Sequence, residues 1–94
     1  MIDTIAINEL QLYIDNDYDL YNQMKYIAKG IKKAIEKDKY NDKQATNACL
    51  RLVRLARIEY SKEFGNFELD ANSKYMLAVD IKENILRAIE EQEF

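Results

Sequence analysis

The sequence predicts an all-α protein: a small helical bundle built on a long antiparallel helical hairpin, with short N-terminal and C-terminal helices packed against it. Three observations carry this prediction. Proline is absent and only two glycines occur in a chain of which 33% is charged, a composition that favours long helices. Apolar residues recur at three- and four-residue intervals through most of the chain, the spacing that gathers them on one face of a helix. No stretch alternates apolar and polar residues as a strand would. With 94 residues, residues 1–94 read as a single helical domain near the size at which one core becomes adequate.

In chain order, Ile5 to Ile14 reads as a short helix with Ile7, Leu10 and Ile14 at apolar spacing, interrupted by Asp15–Asp19. A second helix is predicted from Tyr18 to Lys37. Leu20, Met24, Ile27, Ile31, Ala34 and Ile35 share one face, and Lys25, Lys29, Lys32, Lys33 and Glu36 share the other. Gly30, at the edge of the apolar face, costs about 1 kcal/mol against alanine and is expected to admit close helix contact. Asp38-Lys39-Tyr40 ends this helix. Asn41 can cap a third one, and Gln44, three residues on, can reach back to complete a capping box. That helix should run to Phe64 and stop at Gly65, burying Ala45, Ala48, Cys49, Leu52, Val53, Ala56 and Tyr60. The short loop between the second and third helices makes them the antiparallel hairpin. Residues 65–79 read as irregular, with Asn66, Asn72 and Ser73 as turn formers and Phe67, Leu69, Tyr75, Met76 and Leu77 tucked against the helices. Asp80-Ile81-Lys82-Glu83 reads as a second capping box. It would start a last helix ending near Gln92 that turns Ile81, Ile85, Ala88 and Ile89 inward.

Hydrophobic residues make up 48% of the chain, enough for a core, and no apolar run approaches the ~20 residues of a membrane span. Asp3 stands where a secretory leader would be basic, and a single cysteine cannot form an intramolecular disulfide; the expected location is the cytoplasm of the producing or infected cell. The net charge of −3 hides a pattern. Residues 1–22 carry five acids and no bases, residues 23–62 eleven bases and four acids, and residues 63–94 three bases and eight acids. The segments therefore carry −5, +7 and −5. Either the acidic ends fold back on the basic middle, or part of the basic surface meets an acidic partner.

The stretch YIDNDYDLY, Tyr13 to Tyr21, places Asp15, Asp17 and Asp19 in the alternation of a calcium loop. Such a loop starting at Asp15 would need glycine at its sixth position and glutamate at its twelfth; these are Leu20 and Tyr26. The stretch therefore reads as a helix junction, with Asp15 or Asn16 as cap and Asp17 and Asp19 in the first turn, favoured by the helix dipole. Cys49 lies on a buried face, and the chain holds no histidine to act as its base. Zinc chemistry lacks its ligands, and no glycine-rich phosphate loop occurs. Glu59 falls within the core arc of the third helix and should pair with a lysine or a tyrosine hydroxyl. No catalytic residue, cofactor or metal is expected, and the reading is non-enzymatic.

The strongest functional signal lies on the outer face of the third helix, where Leu50, Arg51, Arg54, Arg57 and Ile58 point away from Leu52. Every other base between residues 23 and 62 is lysine. Arginine is preferred where planar donors meet carboxylate or phosphate and charge is partly desolvated, and arginine among exposed aliphatics is typical of protein interfaces. Lys25, Lys29 and Lys32 of the second helix extend the basic surface, which would serve a nucleic-acid partner. Packing on the chain's own acidic ends or between identical copies is the remaining alternative. Tyr13, Tyr18, Tyr21 and Tyr26 cluster around the first junction, either as packing between the first two helices or as a contact patch.

Three stretches carry a resemblance: ELQLYIDNDYDLYNQ from Glu9 to Gln23, KQATNACLRLVRLARIEYSKEFG from Lys43 to Gly65, and the closing acidic helix with its Glu93-Phe94 end. In these the chain resembles a family of small, uncharacterised helical proteins encoded by bacteriophages. It departs from that family at Met76–Val79, where the family has an aromatic residue and a proline before the last helix, and at Arg51, Arg54 and Arg57, where the family is less basic. The resemblance supplies no catalytic residues. It implies an accessory protein that works inside the host by binding, as an inhibitor for example, a host protein; an inhibitor of a bacterial defence system such as CRISPR fits the size and charge. The alternatives are a nucleic-acid-binding accessory protein and a self-assembling structural protein that buries Leu50 and Ile58 between subunits.

Overall fold

The computed structural model describes residues 4–92. They form four helices: α1 (Thr4–Asn16), α2 (Tyr18–Glu36), α3 (Asp42–Phe64) and α4 (Ala71–Glu90). The all-α class stands, and no strand occurs among the described residues. The closing Glu93-Phe94 lies outside them.

Each boundary has a local cause. α1 and α2 are separated only by Asp17, whose side chain accepts the Leu20 N–H at 3.0 Å. The cap is therefore Asp17; Asp15 and Asn16 still belong to α1. Asp19 alone is the acid in the first turn of α2, where the dipole favours it. At the other end Asp38 takes a left-handed φ of 57°, and the next N–H, of Lys39, returns to the Ala34 carbonyl at 2.8 Å, which satisfies an end carbonyl. Asn41 caps α3 as expected, accepting from the Gln44 N–H at 3.0 Å. Gly65 ends it with a φ of 92°, a conformation that glycine enters without steric cost.

The C-terminal third differs from expectation. α4 begins at Ala71, not Asp80, and its 20 residues make it longer than α2 rather than short. Its cap is Asp70, which accepts the Ser73 N–H at 2.7 Å and is held below the usual carboxylate range by that bond. Asn72 and Ser73 thus sit in a first helical turn. Asp80, read as a cap, is an exposed residue inside the helix. Leu69 and Leu77 are buried as predicted, but Tyr75 and Met76 are exposed, because the helix turns them away from the arc of Leu77, Ala78, Ile81 and Ile85.

One core joins all four helices. α1 contributes Ala6, Ile7, Leu10 and Ile14; α2 contributes Leu20, Ala28 and Ile31; α3 and α4 contribute the rest with Leu69. The most extensive helix pair is α3 with α4, not α2 with α3, so the foundation differs from the predicted hairpin. The side chains explain this. α4 brings Leu77, Ile81 and Ile85 fully into the core, whereas α2 buries only two large residues, and Ile35, expected inside, is 41% exposed in its final turn. Burying a large aliphatic side chain is worth roughly 1.5–3 kcal/mol, so α4 holds α3 more firmly than α2 does.

Candidate partner-binding face

The arginine face is where the sequence placed it. Arg51 and Arg54 are exposed, Arg57 is half-buried, and Ile58 is 42% exposed. Leu50 is half-buried and packs against the core, so it belongs to the edge of the face. Among the described residues no carboxylate forms an ion pair with Arg51, Arg54 or Arg57. The acidic ends therefore do not neutralise these arginines through described residues.

Beside the face runs a groove between α2 and α3. One recess of about 280 Å³ is lined by Ile27, Gly30, Ala34, Ala45, Ala48 and Arg51, among others. A second, of about 600 Å³, shares Tyr26, Ile27, Ala48 and Arg51 with it and extends to Leu52 and Leu55. Tyr26 is 80% exposed at the rim. A β-carbon added to Gly30 would meet nothing within 4 Å, so this glycine does not serve the close helix contact expected of it; it leaves the groove open. The arginines were legible in the sequence and the groove was not. Its faint signal is small residues at helical spacing, Gly30 and Ala34 on α2 and Ala45 and Ala48 on α3.

Of the predicted site cations only Arg51 lines the groove. At 100° per residue, Lys25, Lys29 and Lys32 fall roughly 115–175° around α2 from the middle of its groove-lining arc, and Arg54 and Arg57 fall roughly as far around α3 from the middle of theirs. Lys25 and Lys29 are exposed, with the Lys25 ammonium 5.5 Å from the centre of the Tyr21 ring. Lys32 is half-buried and engaged. Tyr18, Tyr21 and Tyr26 are exposed; they do not form the packing between α1 and α2.

Tyr13 instead joins the far end of α3. Its ring meets Tyr60 edge-on at 5.2 Å and Phe64 at 6.1 Å, and Tyr60 meets Phe67 at 4.5 Å. The Tyr13 hydroxyl donates to Glu63 at 2.9 Å, and the Tyr60 hydroxyl to Glu9 at 3.3 Å. Burial, then the Glu63 carboxylate, pushes the Tyr13 phenol up to about 12. Glu59, expected in the core arc, is partly exposed and pairs with Lys62 at 3.4 Å.

A second polar cluster joins the start of α3 to α4. The buried Lys82 donates to Asp42 Oδ1 at 2.9 Å, and the Tyr40 hydroxyl donates to the same oxygen at 2.9 Å. The two bonds hold Asp42 below its usual range, Lys82 is raised by Asp42, and burial with the Asp42 bond lifts Tyr40 to about 12. Lys82 lays its stem in the core and delivers its charge at the edge. Cys49 is fully buried, and burial pushes its thiol up to about 11, which leaves it protonated and unreactive at neutral pH.

No group of histidine, cysteine and carboxylate side chains among the described residues could hold a metal ion, and none of the described helices is long and apolar enough to cross a membrane. Compared with known proteins, the chain matches no family model, no curated protein and no solved structure.

Proposed function

We propose that the chain is a non-enzymatic binding module that engages an acidic surface of a partner protein through Arg51, Arg54 and Ile58, with Arg57 and Leu50 at the edge. One observation carries this reading: three arginines at successive turns of one helix have no carboxylate partner among the described residues, and the first of them, Arg51, lines an apolar groove. Arginine in that setting offers flat bidentate donors that lose little on partial desolvation. The resemblance to phage accessory proteins supports a host protein as the partner, and inhibition as the consequence of binding.

The test is capture from nuclease-treated host lysate, with the tagged protein as bait and the triple variant Arg51→Ala, Arg54→Ala, Arg57→Ala as control. One protein retained by the wild type and lost by the variant is the expected result. A capture emptied by nuclease would transfer the face to nucleic acid, whose binding should also weaken steeply with salt.

A further inference from the structure

The groove between α2 and α3 has a lining that selects its occupant. Its two recesses present Lys39 and Arg51 and no carboxylate, whereas the depression between α1 and the end of α3 includes Glu9 and the recess between α1 and α4 includes Asp80 and Glu83. Such a groove repels a basic segment and complements an acidic one. Its walls run over residues 22–34 of α2 and 44–55 of α3, about 17 Å at 1.5 Å per residue. That is about three turns of helix. Gly30, Ala34, Ala45 and Ala48 recess its floor, so a third helix could lie close to both walls and seat an apolar stripe between Ile27 and Leu55. Tyr26 stands exposed at the rim, as an amphipathic contact residue would.

We infer that the groove receives one amphipathic α-helix of the partner, its apolar stripe facing Gly30 and Ala48 and its flanking carboxylates facing Lys39 and Arg51. This rests on the binding reading above and adds the chemistry of the bound element.

The probe is a set of fluorescein-labelled 16-residue amphipathic peptides with one leucine–alanine stripe and flanks of glutamate, glutamine or lysine. Binding to the full chain is read by anisotropy. The glutamate-flanked peptide should bind, and the lysine-flanked peptide should bind at least about tenfold more weakly. Gly30→Leu fills the floor where nothing lies within 4 Å of the added carbon, so helicity and melting should hold while affinity falls about tenfold. Arg51→Glu should invert the preference and recover the lysine-flanked peptide. Equal binding of all three peptides, binding of none, or undiminished binding by the Gly30→Leu chain would overturn the inference. So would a wild-type dimer that Gly30→Leu dissolves, since a second copy would then occupy the groove. The two readings separate in lysate capture. A protein still captured by Gly30→Leu but lost from the triple arginine variant sinks the groove and keeps the arginine face.

Discussion

Between Glu59 and Phe64 every charged side chain of α3 has found a partner within the chain: Glu59 pairs with Lys62, and Glu63 accepts the Tyr13 hydroxyl. Between Leu50 and Ile58, on the same helix, three arginines have no carboxylate among the described residues. The aromatic content differs in the same sense. The terminal region packs Tyr13, Tyr60, Phe64 and Phe67 ring against ring, while the middle region has no ring of its own and leaves Ile58 open, with Tyr26 of α2 open across the groove. Satisfied groups with mutual packing are what ties α1 to α3. Arginines without a carboxylate among the described residues add no ion pair to the fold, so the end of α3 ties the chain together while its middle is left for the binding proposed above.

The largest effect expected from this comparison is at the structural end. Tyr60→Ala removes a ring that touches three others and should cost about 2–3 kcal/mol, near the lower range for large aromatic deletions because the ring is only half-buried. Urea unfolding would show it, and peptide binding at the groove should be unchanged in the folded fraction. A loss below about 0.5 kcal/mol would mean that the cluster does not tether α1.

Alkaline pH attacks both ends of α3, through Tyr13 at its finish and Tyr40 at its start. Tyr13 and Tyr40 have folded pKa values raised to about 12 from an ordinary value near 10. A raised folded pKa gives stability that is fully present below the unfolded value and is lost as pH climbs toward the folded one. Stability should therefore drop between about pH 10 and 12, and Tyr13→Phe should flatten part of that drop. Spectrophotometric titration should show Tyr13 and Tyr40 ionising late, and Tyr60, raised by burial and then by the Glu9 carboxylate, should join them above the ordinary phenol value. Asp42 behaves oppositely: its lowered pKa gives stability above the unfolded carboxylate value that is lost as pH falls below about 4.

The parts legible in the sequence were those governed by local rules. Asn41 with Gln44, Gly65, and the spacing of Leu20, Ile27 and Ile31 each follow from chemistry within one or two turns. The start of α4 was missed because Asn72 and Ser73 are turn formers by propensity, and Asp70 overrode them by capping Ser73. The absence of glycine and proline from residue 66 to the end was the available signal. The arginine face was legible because periodicity places residues on faces. The groove was not, because it depends on how far apart two helices settle, which no rule local to either helix sets.

A smaller effect distinguishes the groove from a packed interface. Gly30→Ala should raise stability by roughly 0.5–1 kcal/mol, since alanine is the better helix former and its added carbon meets nothing within 4 Å. For a chain of this size that is a rise of several degrees in Tm. A fall in Tm would show that α2 and α3 approach more closely than an open groove allows.

The smallest expected effect is the most informative about the arginines. Arg51, Arg54 and Arg57 follow one another at three-residue spacing, where like charges on a helix destabilise by roughly 0.2–0.5 kcal/mol per pair. Arg54→Ala removes two such repulsions and no ion pair, so unfolding free energy should stay within about 0.5 kcal/mol of wild type, on the side of greater stability. Raising the salt concentration should narrow the gap, because screening weakens the repulsion that the substitution relieves. A destabilisation above about 1 kcal/mol would reveal a partner for Arg54 inside the chain and move this region into the same class as the Tyr60 end. With stability unchanged and capture lost, the arginine triplet is a feature that the fold tolerates and the partner requires.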